Sequence, residues 1–146
     1  MTIGVGEGRL LIDNSVYARA GHPLLGEALA AAGQREQLVA CGALAIEALF
    51  LARNARELET LHGRLTRGMP WVETDESVWR LALRTQVELG KVSERLHRRP
   101  PIDYLIAATA HRHGLGVLHY DRDYDLIAEH SSLEFESRWV AEPGSL

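Results

Sequence analysis

Asp13, Glu47, Asp103 and Asp121 are acids placed where an acid needs a reason. In "RLLIDNSVYAR" an apolar run over residues 9–12 ends and Asp13 follows at once, with no lysine or arginine beside it. A carboxylate there is either an N-cap accepting a hydrogen bond from a helical N–H, or half of a metal site. Glu47 has Ala43, Leu44, Phe50 and Leu51 as helical neighbours at three and four residues, so it belongs to a face that should pack inward. A buried carboxylate without a partner is costly, and a hydrogen bond, a cation or a proton must relieve it. Asp103, in "PPIDYLIAATA", gains from the dipole of a helix start, yet it shares a face with Ile106, Ala107 and Ala110. Asp121, in "VLHYDRDYDLIA", follows another apolar run by two residues, and Asp123 and Asp125 come at alternate positions after it. A polar turn with a cap explains that segment equally well.

Jointly the pattern is harder to explain by caps. Two of these acids follow strands, and two lie on apolar helix faces. Carboxylates brought together repel strongly unless cations compensate. Oxygen ligands without clustered cysteine or histidine suit Mg²⁺ or Mn²⁺. Such ions also bind phosphate, so an acidic pocket can accept a polyanion.

The elements that would bring these acids together can be read from periodicity. Strands are expected over 9–12, 37–41, 71–73, 116–119 and 135–139. Leu24, Leu25, Ala28, Leu29 and Ala32 repeat at three and four, as do Leu44, Ala48 and Leu51. Val78, Leu81, Ala82 and Leu89 mark a longer helix, with Thr74 as its cap and Gly90 as its stop. The last helix is expected from Ile102 to His113, with Pro101 opening it and Gly114 ending it. Strands alternating with helices predict an α/β fold, a mostly parallel central sheet flanked by helices. In such sheets the functional crevice lies outside the carboxyl ends of the strands. Trp71, Trp79 and Trp139 are expected in the core.

Composition narrows the function. The 146 residues are enough for one domain with a real core, expected over 1–146, with 1–8 and 141–146 loosely held. Sixteen basic and twenty acidic side chains give a net charge of -4, so a nucleic acid would need a local basic patch or bound cations. Cys41 is the lone cysteine, which excludes an internal disulfide and a multi-cysteine zinc site and suits a buried core thiol. "MTIGVGEG" lacks the basic start and apolar core of a signal peptide. The stretch "LVACGALAIEALFLA" is too short to span a bilayer. A cytoplasmic protein without membrane contact is expected. His111 and His113, two apart on a helix, make a poor chelate. No glycine-rich phosphate loop or nucleophile elbow is present. An aspartyl-phosphate hydrolase would want a second acid two residues after Asp13, where Ser15 stands.

The segments "LLIDNSVYAR", "PPIDYLIAATAHRHG" and "VLHYDRDYDLIA", with the isolated Glu47, resemble the PIN domain, and more narrowly the VapC toxins of type II toxin–antitoxin pairs. The resemblance runs from about Arg9 to Trp139. It implies a PIN-like three-layer sandwich and a Mg²⁺-dependent endoribonuclease, with Mn²⁺ as a substitute. It assigns the catalytic, metal-holding acids to Asp13, Glu47, Asp103 and Asp121, with Asp123 supplementary and Ser15 supporting. Where relatives often carry threonine two residues before the fourth acid, this chain has His119. The implied reaction is hydrolysis of RNA by activated water, leaving a 5′ phosphate and a 3′ hydroxyl. "SERLHRRPP" is the densest basic run, so Arg95, Arg98 and Arg99 are candidates for holding the RNA backbone, or simply a solvated loop.

The resemblance further implies a VapB-like antitoxin and a homodimer. Candidate groove walls are the helical stretches from Leu24 to Ala32 and from Ala55 to Leu65. Rival readings are a PIN nuclease of RNA maturation or quality control, and a catalytically silent RNA- or protein-binding module.

Overall fold

The computed structural model describes residues 3–146. Its centre is β1 (Leu10–Ile12). Successive strand side chains point to opposite faces, yet Leu10, Leu11 and Ile12 are all 2% exposed or less. Both faces of the sheet are therefore covered, as a parallel sheet requires. β1 pairs with β2 (Leu38–Val39) on one side and with β3 (Gly116–His119) on the other. β4 (Ser137–Trp139) completes the order β2-β1-β3-β4, and every pairing is parallel.

The chain passes from β1 to β2, then returns to the far side of β1 for β3. The strand order reverses between β1 and β3, which opens the crevice at their carboxyl ends. Asp13 follows β1, and Asp121 follows β3 by two residues. Both acids therefore stand at the mouth of the crevice for a topological reason.

Among the described residues seven helices connect and cover the strands: α1 (Asn14–Tyr17), α2 (Gly26–Gln34), α3 (Gly42–Phe50), α4 (Ala55–Gly68), α5 (Glu76–Val92), α6 (Pro101–His113) and α7 (Asp123–His130). α6 is the central one. It buries Asp103, Tyr104, Ile106, Ala107, Ala108, Thr109 and Ala110, and it packs on β1, β3, α3, α5 and α7. Pro101 opens it, and Gly114 closes it at φ 67°, a left-handed conformation that glycine adopts without steric cost. Among the described residues, no helix is long and apolar enough to cross a membrane.

Several expectations need correction. The strand expected at 71–73 is a single bridge, Ala40 to Trp71, because the chain leaves the sheet at Cys41 to start α3. Trp71 is 42% exposed and uses its indole N–H to donate to the Leu65 carbonyl at 2.7 Å. Trp79 is also exposed, on the outer side of α5, and Trp139 is half-buried. Asp75, not Thr74, caps α5 by accepting from the Val78 N–H. α5 continues through Gly90 to Val92, since one glycine weakens a helix without ending it. α6 is not the last helix, because α7 follows it. Val5 is buried, the Gly4 N–H donates to the Val140 carbonyl, and the Leu146 N–H donates to the Tyr120 hydroxyl. Residues 1–2 lie outside the described residues.

At Gly116, β3 has no room for a side chain. A Cβ there would lie 2.7 Å from Leu10 Cδ2 and 3.2 Å from the Glu136 carbonyl oxygen. Gly116→Ala should therefore lower stability by about 1–3 kcal/mol through overpacking. Urea unfolding checks this, and an unchanged midpoint would contradict the packing described.

Candidate metal centre

Asp13 serves two ends at once. Its N–H donates to the Leu118 carbonyl at 3.0 Å, extending the β1–β3 ladder by one rung. Its Oδ2 accepts from the Ser15 N–H at 2.9 Å, so it caps α1. Its Oδ1 accepts from the Tyr124 phenol at 2.5 Å. The same phenol oxygen lies 3.2 Å from Asp103 Oδ1. The cap reading of Asp13 is thus correct for one oxygen, and the other oxygen joins the acids.

Asp103 stands in the first turn of α6 and is 4% exposed. Its Oδ2 is buried without a hydrogen-bond partner. Carboxylate oxygens of Asp103, Asp121 and Asp123 all lie within 4.8 Å of one another. Asp121 Oδ1 accepts from the Asp123 N–H at 2.9 Å, which orients it at the N-terminal end of α7. Ser15 joins the two strand-end loops, since its hydroxyl oxygen accepts from the Tyr120 N–H at 2.9 Å.

Glu47 lies at the margin of this group. The helix face assigned to it is only partly inward. Ala43, Leu44 and Ala48 are buried, whereas Phe50 is 83% and Leu51 57% exposed. The end of α3 therefore turns two large apolar residues to solvent, and Glu47 sits at the boundary. Its Oε2 is nevertheless buried without a partner.

The electrostatics follow from this packing. Burial, with Asp13, Asp121, Asp123 and Glu47 nearby, raises the Asp103 carboxyl to about 8. Asp121 is raised chiefly by burial. Glu47 is raised by burial, then by Asp13 and Asp121. Without a cation the group relieves its repulsion by keeping a proton on Asp103 at neutral pH. Two partnerless buried oxygens on different elements, in an all-carboxylate donor set, fit a hard divalent ion.

The basic run divides. Arg99 donates to Asp123 Oδ1 at 2.8 Å and to the Leu96 carbonyl, so it is tied to the acids. Arg95 and Arg98 are exposed on the same loop. His111 and His113 hold chain together. His111 Nδ1 accepts from the Glu134 N–H, and His113 Nε2 contacts the Glu73 carbonyl. Neither approaches the acids as a ligand.

Sequence reasoning missed Tyr124 and the surroundings of His119. His119 is fully buried, and burial holds its imidazole down to about 4, so it stays neutral. The signal was available in part. Tyr120, Tyr124 and Ile127 repeat at helical spacing through the acidic segment.

An all-parallel sheet with acids gathered at its switch point defines an α/β protein whose site is built of carboxylates. The chain matches the family model described as PIN domain over residues 11–130, and it belongs to that family, on its VapC branch. It is 33% identical over 138 residues to Ribonuclease VapC21 of Mycobacterium tuberculosis, covering 94% of this chain and 97% of the relative. It is 34% identical over 144 residues to Ribonuclease VapC51 of the same organism, with the same coverage. Among solved structures it resembles the DNA-bound VapBC of Salmonella typhimurium, with a TM-score of 0.71 at 14% identity, covering 92% of this chain and 100% of that one. The VapBC2 of Rickettsia felis, bound to a promoter DNA fragment, gives 0.68 at 10% identity, covering 89% and 98%. Those two likenesses establish the fold. The family implies use of a divalent ion, and the acids here suit one.

An ion must displace the Asp103 proton to bind. Below about 8 that proton competes, so Mn²⁺ affinity should rise with pH, approaching tenfold per unit between about pH 6 and 8. Titration calorimetry should also show release of close to one proton per ion near neutral pH. The metal-free protein should change in the opposite sense. Its folded state holds this proton more tightly than the unfolded chain, so it loses stability as pH rises from about 4 to 8. Ion binding independent of pH would contradict the arrangement.

Proposed function

We propose that this protein is the toxic endoribonuclease of a type II toxin–antitoxin pair, hydrolysing RNA phosphodiester bonds with Mg²⁺. The observation that carries this reading is the meeting of Asp103, Asp121 and Asp123 oxygens within 4.8 Å, beside Asp13, in a family of ribonucleases. Asp13, Asp103 and Asp121 would hold the ion, with Glu47 and Asp123 completing the acidic set and Ser15 supporting it. A divalent ion held there supplies Lewis-acid activation of water and neutralises charge at the scissile phosphate. The protein supplies orientation. The Ser15 N–H fixes Asp13, the Asp123 N–H fixes Asp121, and Arg99 fixes Asp123.

With a net charge of -4, the chain needs local contacts to hold RNA. Arg99 lies at the edge of the acids, and Arg95 and Arg98 extend from its loop toward solvent, suited to backbone phosphates. Mn²⁺ would substitute for Mg²⁺, having the same preference for oxygen ligands.

The proposed partner is a VapB-like antitoxin. VapBC complexes among the structural neighbours support it. So does an apolar cavity of about 340 Å³ lined by Tyr17, Leu29, Ala30, Leu38 and Met69, between α2 and α4. We place the chain in the cytoplasm, as a single domain over 1–146 that acts as a homodimer.

Asp13→Asn tests the reading, because asparagine keeps the α1 cap while removing an anionic oxygen. The variant should fold with an unchanged or raised melting temperature. RNA cleavage should fall by more than about 100-fold, beyond what loss of an outer-shell contact produces. Wild-type cleavage should stop with chelator and return with Mg²⁺. Full activity in a purified, folded variant would contradict the proposal.

A further inference from the structure

We propose that Tyr124 is a positioning residue of the metal centre, its buried hydroxyl orienting Asp13 beside Asp103. This rests on the metal-dependent reading above. The two acids come from different parts of the fold, one after β1 and one in α6. Among the described residues, the Tyr124 oxygen is the one group hydrogen-bonded to both, 2.5 Å from Asp13 Oδ1 and 3.2 Å from Asp103 Oδ1. The phenol carries a single proton, and the shorter contact takes it. With Oδ2 on the Ser15 N–H, both oxygens of Asp13 are then oriented.

The ring that carries this hydroxyl is itself held from behind. Tyr124 stacks on His119 with centroids 5.0 Å apart and planes at 29°. Both nitrogens of His119 are engaged. Nδ1 accepts from the Asp121 N–H at 3.2 Å, and Nε2 meets the Ser137 hydroxyl at 2.7 Å. Ser137 donates in turn to Asp125 Oδ1 at 2.6 Å, and the Trp139 indole donates to Asp125 Oδ2 at 2.8 Å. Trp139 also meets the His119 ring edge-on at 5.0 Å. A neutral imidazole with both nitrogens bonded cannot turn without breaking a contact. It therefore acts as a fixed plate behind Tyr124.

This network also separates the alternating acids of "DRDYD". Asp121 and Asp123 face the centre, Tyr124 spans the deep pair, and Asp125 anchors the plate from the β4 side. Groups that orient metal ligands commonly contribute tenfold to a hundredfold in affinity.

Tyr124→Phe keeps the ring and removes only the hydroxyl. Mn²⁺ binding, measured by calorimetry on purified protein without RNA, should weaken at least about tenfold. Circular dichroism should show an intact fold. In cleavage assays the Mg²⁺ concentration for half-maximal rate should rise by a similar factor, more than the rate at saturating Mg²⁺ falls. Loss of packing alone would lower stability without moving ion affinity. The unaltered protein gives a second readout. Mg²⁺ should produce a tyrosine difference spectrum in the near ultraviolet, which the Phe variant lacks. If the variant fails to fold, that wild-type spectrum decides, and its absence overturns the proposal. Wild-type Mn²⁺ affinity in a folded variant overturns this inference and leaves the metal centre standing. No Mn²⁺ binding by the wild type, with Asp103→Asn equally silent, removes the centre and this inference with it.

Discussion

Mutual repulsion among carboxylates in a largely buried crevice is the constraint that organises this molecule. Asp13 and Asp103 converge where bulk water hardly reaches, with the half-buried Asp121, Asp123 and Glu47 close by. In a low-dielectric setting such a group is tolerated only with compensation. The fold provides part of it through the Ser15 and Asp123 N–H groups, the Tyr124 phenol and the Arg99 guanidinium. A proton on Asp103 provides more. Asp103 Oδ2 and Glu47 Oε2 remain buried without partners. Those two atoms mark where protein donors run out and where the proposed cation would compensate.

The architecture explains why the convergence is possible. A parallel sheet aligns all carboxyl ends on one edge, and the order β2-β1-β3-β4 parts the connections between β1 and β3. Asp13 and the Asp121 loop arrive there from adjacent strands, joined by the Asp13 N–H to Leu118 bond and the Ser15 to Tyr120 bond. α6 enters across the same edge and brings Asp103 in its first turn. Stability is given up locally at Asp103, whose buried Oδ2 has no partner, and is recovered in the surrounding core. The centre is therefore embedded, whereas Arg95 and Arg98 stand on an exposed loop.

Much of this was legible in the sequence, for particular reasons. β1 stands out because its run is uniformly apolar, and β3 because Val117 and Leu118 sit between Gly116 and the polar stretch that follows. Pro101 and Gly114 bracket α6 because their backbone preferences leave few alternatives. The acids stood out because they interrupt apolar patterns. What was missed was decided by tertiary contacts. α7 reads as a turn, because three acids in five residues mask its helical spacing. Tyr124 was hidden with it, since a tyrosine's role depends on which oxygen its hydroxyl meets. Phe50 and Leu51 read as core from periodicity alone, yet α3 ends at the surface and exposes them. The strand expected at 71–73 shrank to one bridge because Cys41 leaves the sheet.

The most direct test of the central claim is an anomalous diffraction map from a crystal of the wild-type protein soaked in Mn²⁺. The account predicts a peak in the crevice between β1 and β3, about 2.1 Å from Asp103 Oδ2 and within ligand reach of Asp13 or Asp121. An empty crevice at saturating Mn²⁺, or a peak held only by surface carboxylates, would contradict it.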